Sequence, residues 1–125
     1  MALYNNQQGI AAGIFYKDQL AGIAGFNTLD WKNKVGTIGY WLGVRFTGKG
    51  IMTRVVHALI EYGFNNLELN RLEIRVANNN FKSRAIPEKF KFTLEGHIRQ
   101  AEWLYDHYVD HAIYGMLAEY WVLRN

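Results

Sequence analysis

Cysteine is missing altogether from these 125 residues, and proline occurs once, at Pro87. Without cysteine there are no disulfides, no thiolate nucleophile and no Cys-ligated metal. No stretch approaches the roughly 18 consecutive apolar residues of a membrane span, and the opening MALYNNQQGI lacks the basic and apolar regions of a secretory signal. A cytoplasmic protein with no membrane partner is therefore expected. Dense Lys/Arg clusters interleaved with stacking aromatics are scarce, the loosest example spanning 82–91. A formal net charge of +3 favours an anionic ligand without requiring nucleic acid. Repeats, linkers and low-complexity tracts are absent as well. What remains is half apolar and one-fifth charged, the profile of a single domain over 1–125 with one core.

The apolar pattern changes period along the chain. AAGIFY and LAGIAGF flank Lys17, Asp18 and Gln19, which predicts a hairpin with strands over 13–16 and 20–27. DWKNK then leads into VGTIGYWLGV, rich in β-branched and aromatic residues, as a third strand. From Ile51 the apolar residues Ile51, Met52, Val55, Val56, Leu59, Ile60 and Phe64 recur at helical spacing and leave Arg54, His57 and Glu61 off the stripe. RLEIRVA alternates as a half-buried strand does. Strand, loop, helix and strand in this order form a crossover unit, so the two strands run parallel. A short helix is predicted over 80–90, with Ser83 near its start as the cap. If that helix begins as early as Ser83, Pro87 cannot donate to the Ser83 carbonyl, and the first turn is poor in bonds. FTLEGHI and YVDHAIYGML read as two last strands, joined by a polar stretch that carries Glu102 and Asp106. The fold class is a mixed α/β sheet.

Between the third strand and the long helix stands GVRFTGKG, residues 43–50, one residue short of the nucleotide-binding pattern G-x-x-x-x-G-K-[ST]. That loop needs a hydroxyl after its lysine to hold magnesium and a carboxylate at the end of a neighbouring strand. Gly50 takes the place of the hydroxyl, and the strand over 71–77 ends in asparagines. Gly48 and Gly50 still permit close backbone approach, and the N–H groups that open the helix point at whatever lies before it. The loop suits a diphosphate held without a metal; the plainer alternative is a glycine-rich turn from strand to helix.

Arg45-x-x-Gly48-x-Gly50 running into a helix resembles the acetyl-CoA loop of the GNAT superfamily of N-acetyltransferases. IGYWLGVRFTGKGIMT, then Asn80-x-x-Ser83, then EGHIRQAEWLYDHYVDHAIY are similar, in order and spacing, to its RimJ/RimL-type ribosomal-protein acetyltransferases. The resemblance implies the GNAT acyl-CoA N-acyltransferase fold and transfer of acetyl from acetyl-CoA, as cosubstrate, to a primary amine, with a protein or peptide N-terminus as the expected acceptor. It implies that N–H groups of Thr47, Gly48, Lys49, Gly50, Ile51 and Met52, in the motif opened by Arg45, bind the pyrophosphate. Trp41, Leu42 and Val44, on a splayed strand end, would pair with the pantetheine arm, and Asn80 and Ser83 would lie beside the thioester. By the same resemblance Ser83 is the general acid and Glu102 the general base. An ammonium must lose a proton before it attacks a thioester, so a carboxylate there is chemically apt, and a hydroxyl can serve the departing thiolate. From the residues alone, Ser83 as a helix cap and Glu102 as a solvated loop charge are the alternatives.

Two departures from the family pattern stand out. Lys91 falls where a left-handed glycine usually ends the short helix. The family's first strand and two helices have no counterpart, so the chain is expected to begin near the second strand. The sheet surface those elements cover would then be exposed. A homodimer is expected to cover it, with residues 1–8 and the aromatics of the first hairpin at its interface. Asp106, His107, Asp110 and His111 supply metal-ligand types within six positions, but the core-strand pattern around them argues for no metal. Tyr108, Asp110 and Tyr114 also match the subgroup's last-strand pattern. A catalytically weak or inactive acyl-CoA-binding protein is the alternative function.

Overall fold

The computed structural model describes residues 3–5 and 9–124. Its sheet has seven strands: β1 (Leu3–Asn5), β2 (Ile10–Tyr16), β3 (Gln19–Asp30), β4 (Val35–Leu42), β5 (Arg71–Ala77), β6 (Thr93–Leu104) and β7 (His107–Leu117). They lie in the order β1-β2-β3-β4-β5-β7-β6. Three helices accompany them, α1 (Ile51–Glu61), α2 (Phe81–Lys89) and α3 (Ala118–Arg124). The mixed α/β class, the opening meander, the parallel crossover from β4 to β5 and the closing hairpin all match the sequence pattern.

The first hairpin turns on two residues, not three. Lys17 and Asp18 both have positive φ, 50° and 65°, the backbone twist that two-residue hairpins favour, and Gln19 already pairs with Tyr16. The strands run beyond their expected ends, and β1 pairs with the outer edge of β2 at Ile10, Ala11 and Ala12. Part of the edge expected to be bare is therefore covered. Of residues 1–8, expected at an interface, 1–2 and 6–8 lie outside the described residues, and Leu3–Asn5 pairs within the chain.

Paired residues share a face of the sheet, and the core lies on one face only. Ile38, Leu72, Ile74, Ala112, Tyr114 and Met116 point to that face, where Val56 and Ile60 of α1 are fully buried. The helix stripe continues past Glu61 by widening into a π-helical turn, Tyr62–Asn66, which buries Phe64 beside Trp121 of α3, ring centroids 6.4 Å apart. Among the described residues, no helix is long and apolar enough to cross a membrane. The opposite face carries polar side chains over β5: Arg71 makes a two-pronged ion pair with Glu95, at 2.9 and 2.6 Å, and also binds Glu73 at 3.1 Å.

Lys91 sits in the left-handed region, φ 65°, as its place in the sequence predicts. The Lys91 N–H donates to the Glu88 carbonyl at 3.1 Å and the Phe92 N–H to the Pro87 carbonyl at 2.9 Å, the paired bonds of a Schellman ending. A side chain in this conformation costs roughly 1–2 kcal/mol that glycine avoids, offset in part by the freer unfolded glycine. Lys91→Gly is therefore expected to raise the melting temperature by about 3 °C. An unchanged or lower value in thermal unfolding would mean that the turn carries no strain.

Candidate active site

The ladder between β4 and β5 stops early. Residues 35–38 pair with 71–74, yet β4 runs on to Leu42 and β5 to Ala77. The strands splay, and residues 39–42 keep β3 on one side while their other side loses its strand partner. Backbone N–H and C=O groups left this way are ready to bond an extended ligand.

Beyond β4 the Gly43 N–H donates to the Ala21 carbonyl at 2.7 Å, and the Phe46 N–H to the Gly43 carbonyl at 2.9 Å. This closes a 3-10 turn, Val44–Phe46. Val44, expected on the splayed strand end, lies in that turn instead. The cause is Phe46, which is buried with its ring edge against Tyr16, centroids 6.2 Å apart. Gly48 and Gly50 follow with φ 79° and 72°, a conformation that glycine reaches freely. Gly50 precedes α1, no side chain caps the helix, and its first turn holds no acidic residue. Free N–H groups and the positive end of the helix dipole therefore face the loop, a setting that favours an anion.

These features open on one cleft of about 760 Å³. Tyr40, Trp41 and Leu42 line it from β4; Thr47, Gly48, Gly50, Ile51 and Met52 from the loop and α1; Asn80 and Ser83 from the start of α2. Arg45 and Lys49 turn aside. Arg45 donates to Gln19 Oε1 at 3.2 Å and lies over the Phe46 ring, and the Lys49 ammonium stands 5.9 Å from the Tyr16 ring centre. Lys82 and Lys89 line the cleft in their place. No motif points to either lysine, although their spacing of seven puts them on one side of α2.

The cap of α2 is Asn80. Its Oδ1 accepts the Ser83 N–H at 3.1 Å, so Ser83 is the capped residue and not the cap. The helix begins at Phe81, which moves Pro87 out of the first turn. Ser83 is partly buried on the cleft, and its carbonyl accepts the Tyr40 hydroxyl at 2.8 Å. Burial pushes the Tyr40 phenol well above the usual tyrosine range, and the nearby Tyr114 adds to this. Tyr114 fixes α2 a second time: its hydroxyl donates to Glu88 at 2.9 Å and accepts from Arg84 Nε at 3.0 Å.

Glu102 is not in the connection between the last strands but within β6, opposite Val109. A bulge between Ile98 and Glu102 separates it from the rest of the ladder, and the Gln100 N–H in that bulge donates to Asp110 Oδ1 at 2.8 Å. Glu102 Oε1 lies 3.0 Å from His111 Nε2. His111 pairs with Ala77 at the end of β5, so this pair stands beside the splay on the face away from the helices. The four possible metal ligands go separate ways: Asp106 contacts His107 at 2.7 Å, Asp110 holds the bulge and His111 meets Glu102. Among the described residues, no three His, Asp or Glu side chains converge as metal ligands. Tyr108 packs edge-on against Trp103, centroids 4.9 Å apart.

The acetyltransferase (GNAT) domain family matches residues 1–93. YdaF of Bacillus subtilis (strain 168), provisionally a ribosomal N-acetyltransferase, is 40% identical over 94% of this chain. The ribosomal-protein-serine acetyltransferase of Escherichia coli (strain K12) is 36% identical over 85% of it. The chain spans 64% and 59% of the lengths of these two proteins. The solved structure of RimL, a ribosomal-protein alpha-N-acetyltransferase, in complex with coenzyme A superimposes with a TM-score of 0.82. It is 34% identical, covering 88% of this chain and 62% of that one. With this match over most of its length and these identities, the chain belongs to the GNAT acetyltransferase family, of the RimJ/RimL type.

Proposed function

We propose that the chain transfers acetyl from acetyl-CoA to a primary amine, with the α-amino group of a protein or peptide as acceptor. The observation that carries this reading is the single cleft shared by the uncapped start of α1, the unpaired side of β4 and Ser83. The N–H groups from Thr47 to Met52 hold the pyrophosphate, with Lys82 and Lys89 adding positive charge. The free side of residues 39–42 pairs with the pantetheine arm and brings the thioester to Asn80 and Ser83. Glu102, on the opposite face, takes a proton from the ammonium of the acceptor. The amine nitrogen then bonds to the acetyl carbon and the carbon–sulfur bond breaks; the Ser83 hydroxyl gives its proton to the departing sulfur and regains one from the nitrogen, which sheds its second proton as the amide forms. Donor and acceptor thus approach from opposite faces of the sheet and meet at the splay. The coenzyme A held by the RimL structure supports the donor side, and the name of the Escherichia coli relative supports a protein acceptor.

Free CoA and acetyl-CoA are both expected to raise the melting temperature, because they share the diphosphate. A ligand at 100 times its Kd contributes about 2.7 kcal/mol. Magnesium ATP should do far less. A larger shift with magnesium ATP than with CoA would overturn the reading, and CoA binding without thiol release across N-terminal peptides, polyamines and aminoglycosides would favour a binding protein.

We further propose that the chain works as a homodimer. On the face without helices, Ile23 and Trp41 lie side by side and are 51% and 64% exposed, and Phe15 and Leu20 are also exposed nearby. Such a cluster gains by being covered. Light scattering should give twice the chain mass; a monomer at high concentration would reject the dimer.

A further inference from the structure

In a regular helix the Ser83 carbonyl accepts the N–H of the residue four positions on. That residue is Pro87, which has no N–H to give. A helix carbonyl left bare at the edge of a partly buried cleft is costly. Here it is not bare, since the Tyr40 hydroxyl donates to it at 2.8 Å across 43 positions of sequence.

The place of this bond in the fold matters. Tyr40 lies two residues past Ile38, the last residue of β4 to pair with β5, so it stands on the arm that has splayed away. Ser83 belongs to the helix that follows β5, the other arm. The Tyr40–Ser83 bond therefore spans the opening and fixes its width at the residue that faces the thioester. On the other flank, Asn80 Oδ1 holds the Ser83 N–H at 3.1 Å. Both peptide groups of Ser83 are fixed, and its side chain is left to the cleft. The helix as a whole does not depend on Tyr40, because Tyr114 binds Arg84 and Glu88 independently.

We infer that Tyr40 is a positioning residue for acetyl transfer: its hydroxyl replaces the helix bond that Pro87 cannot make and thereby sets Ser83 in the cleft. This rests on the acetyltransferase reading above. The arrangement contains its own control, since Pro87→Ala supplies the missing N–H and makes the Tyr40 hydroxyl redundant.

The test is a cycle of Tyr40→Phe, Pro87→Ala and the double variant in the full chain, read by thermal unfolding without ligand, by kcat and by the CoA-induced shift. Tyr40→Phe is expected to lower the melting temperature by about 3–5 °C with Pro87 present and by clearly less in the Pro87→Ala background. It should lower kcat about tenfold, the effect of one lost hydrogen bond expressed in the transition state, with CoA affinity within about threefold. The double variant should recover the kcat of Pro87→Ala. A wild-type chain that transfers acetyl to no amine overturns the functional reading itself, while the unfolding cycle still reports whether the bond is there. In an active chain, a kcat unchanged by Tyr40→Phe, or lowered equally in the wild-type and Pro87→Ala backgrounds, overturns the positioning role alone. Equal loss of stability in the two backgrounds shows that Tyr40 does not substitute for the helix bond.

Discussion

Glu102→Gln is expected to lower kcat by about two to four orders of magnitude, the usual contribution of a positioned general base, and to leave the CoA-induced shift in melting temperature unchanged. Glutamine keeps the shape and can still meet His111, so the fold and the 3.0 Å contact offer little reason for collapse. What it loses is the capacity to take a proton. The rise of kcat with pH on the acid side should flatten in the variant, a change that a structural role would not produce. The two readouts separate because Glu102 is not among the residues that line the donor cleft. It stands on the opposite face, beside the end of β5. Ser83→Ala should be milder, since a thiolate is a tolerable leaving group without an acid. Wild-type turnover and an unaltered pH profile in Glu102→Gln would remove the residue from the mechanism.

The fold was legible where local periodicity carries the information. The alternation of Leu72, Ile74 and Val76 and the helical spacing from Ile51 to Ile60 each report burial on one face, and burial on one face is what a strand or helix pattern encodes. The pattern failed where a distant contact decided the local form. Phe46 leaves the sheet to reach Tyr16, and this ends β4 before Val44. Arg99, Gln100 and Ala101 break the alternation because they form a bulge held by Asp110. The polar run reads as a connection, and from the residues alone Glu102 reads as a loop charge. Position 91 was legible for the opposite reason: a Schellman ending is local, and the αL residue can be found by counting from the helix end. In the candidate site, the glycine loop is legible from its own residues, whereas Ser83 enters only through the family resemblance; both line one cleft. Tyr40 did not, since nothing within a few residues of it points to a carbonyl 43 positions away.

Gly48→Val is expected to weaken CoA binding by about 100-fold or more and so to remove nearly all of the ligand-induced rise in melting temperature. Gly48 borders the cleft, and a Cβ built there meets nothing within 4 Å. The free protein therefore has room for the side chain, and the cost to folding is the left-handed backbone, φ 79°, at about 1–2 kcal/mol. The cost to binding is larger. A diphosphate kept away from the N–H groups around Gly48 and the start of α1 gives up two or three charge-assisted hydrogen bonds at about 1.5–3 kcal/mol each. Under CoA at 100 times the wild-type Kd, a 100-fold loss reduces the stabilisation from about 2.7 to about 0.4 kcal/mol. Combining Gly48→Val with Lys91→Gly restores part of the lost stability at a site far from the loop in sequence, which keeps the comparison between folded proteins. A CoA shift that survives in this double variant would show that the diphosphate, if bound at all, does not use the Gly48 loop.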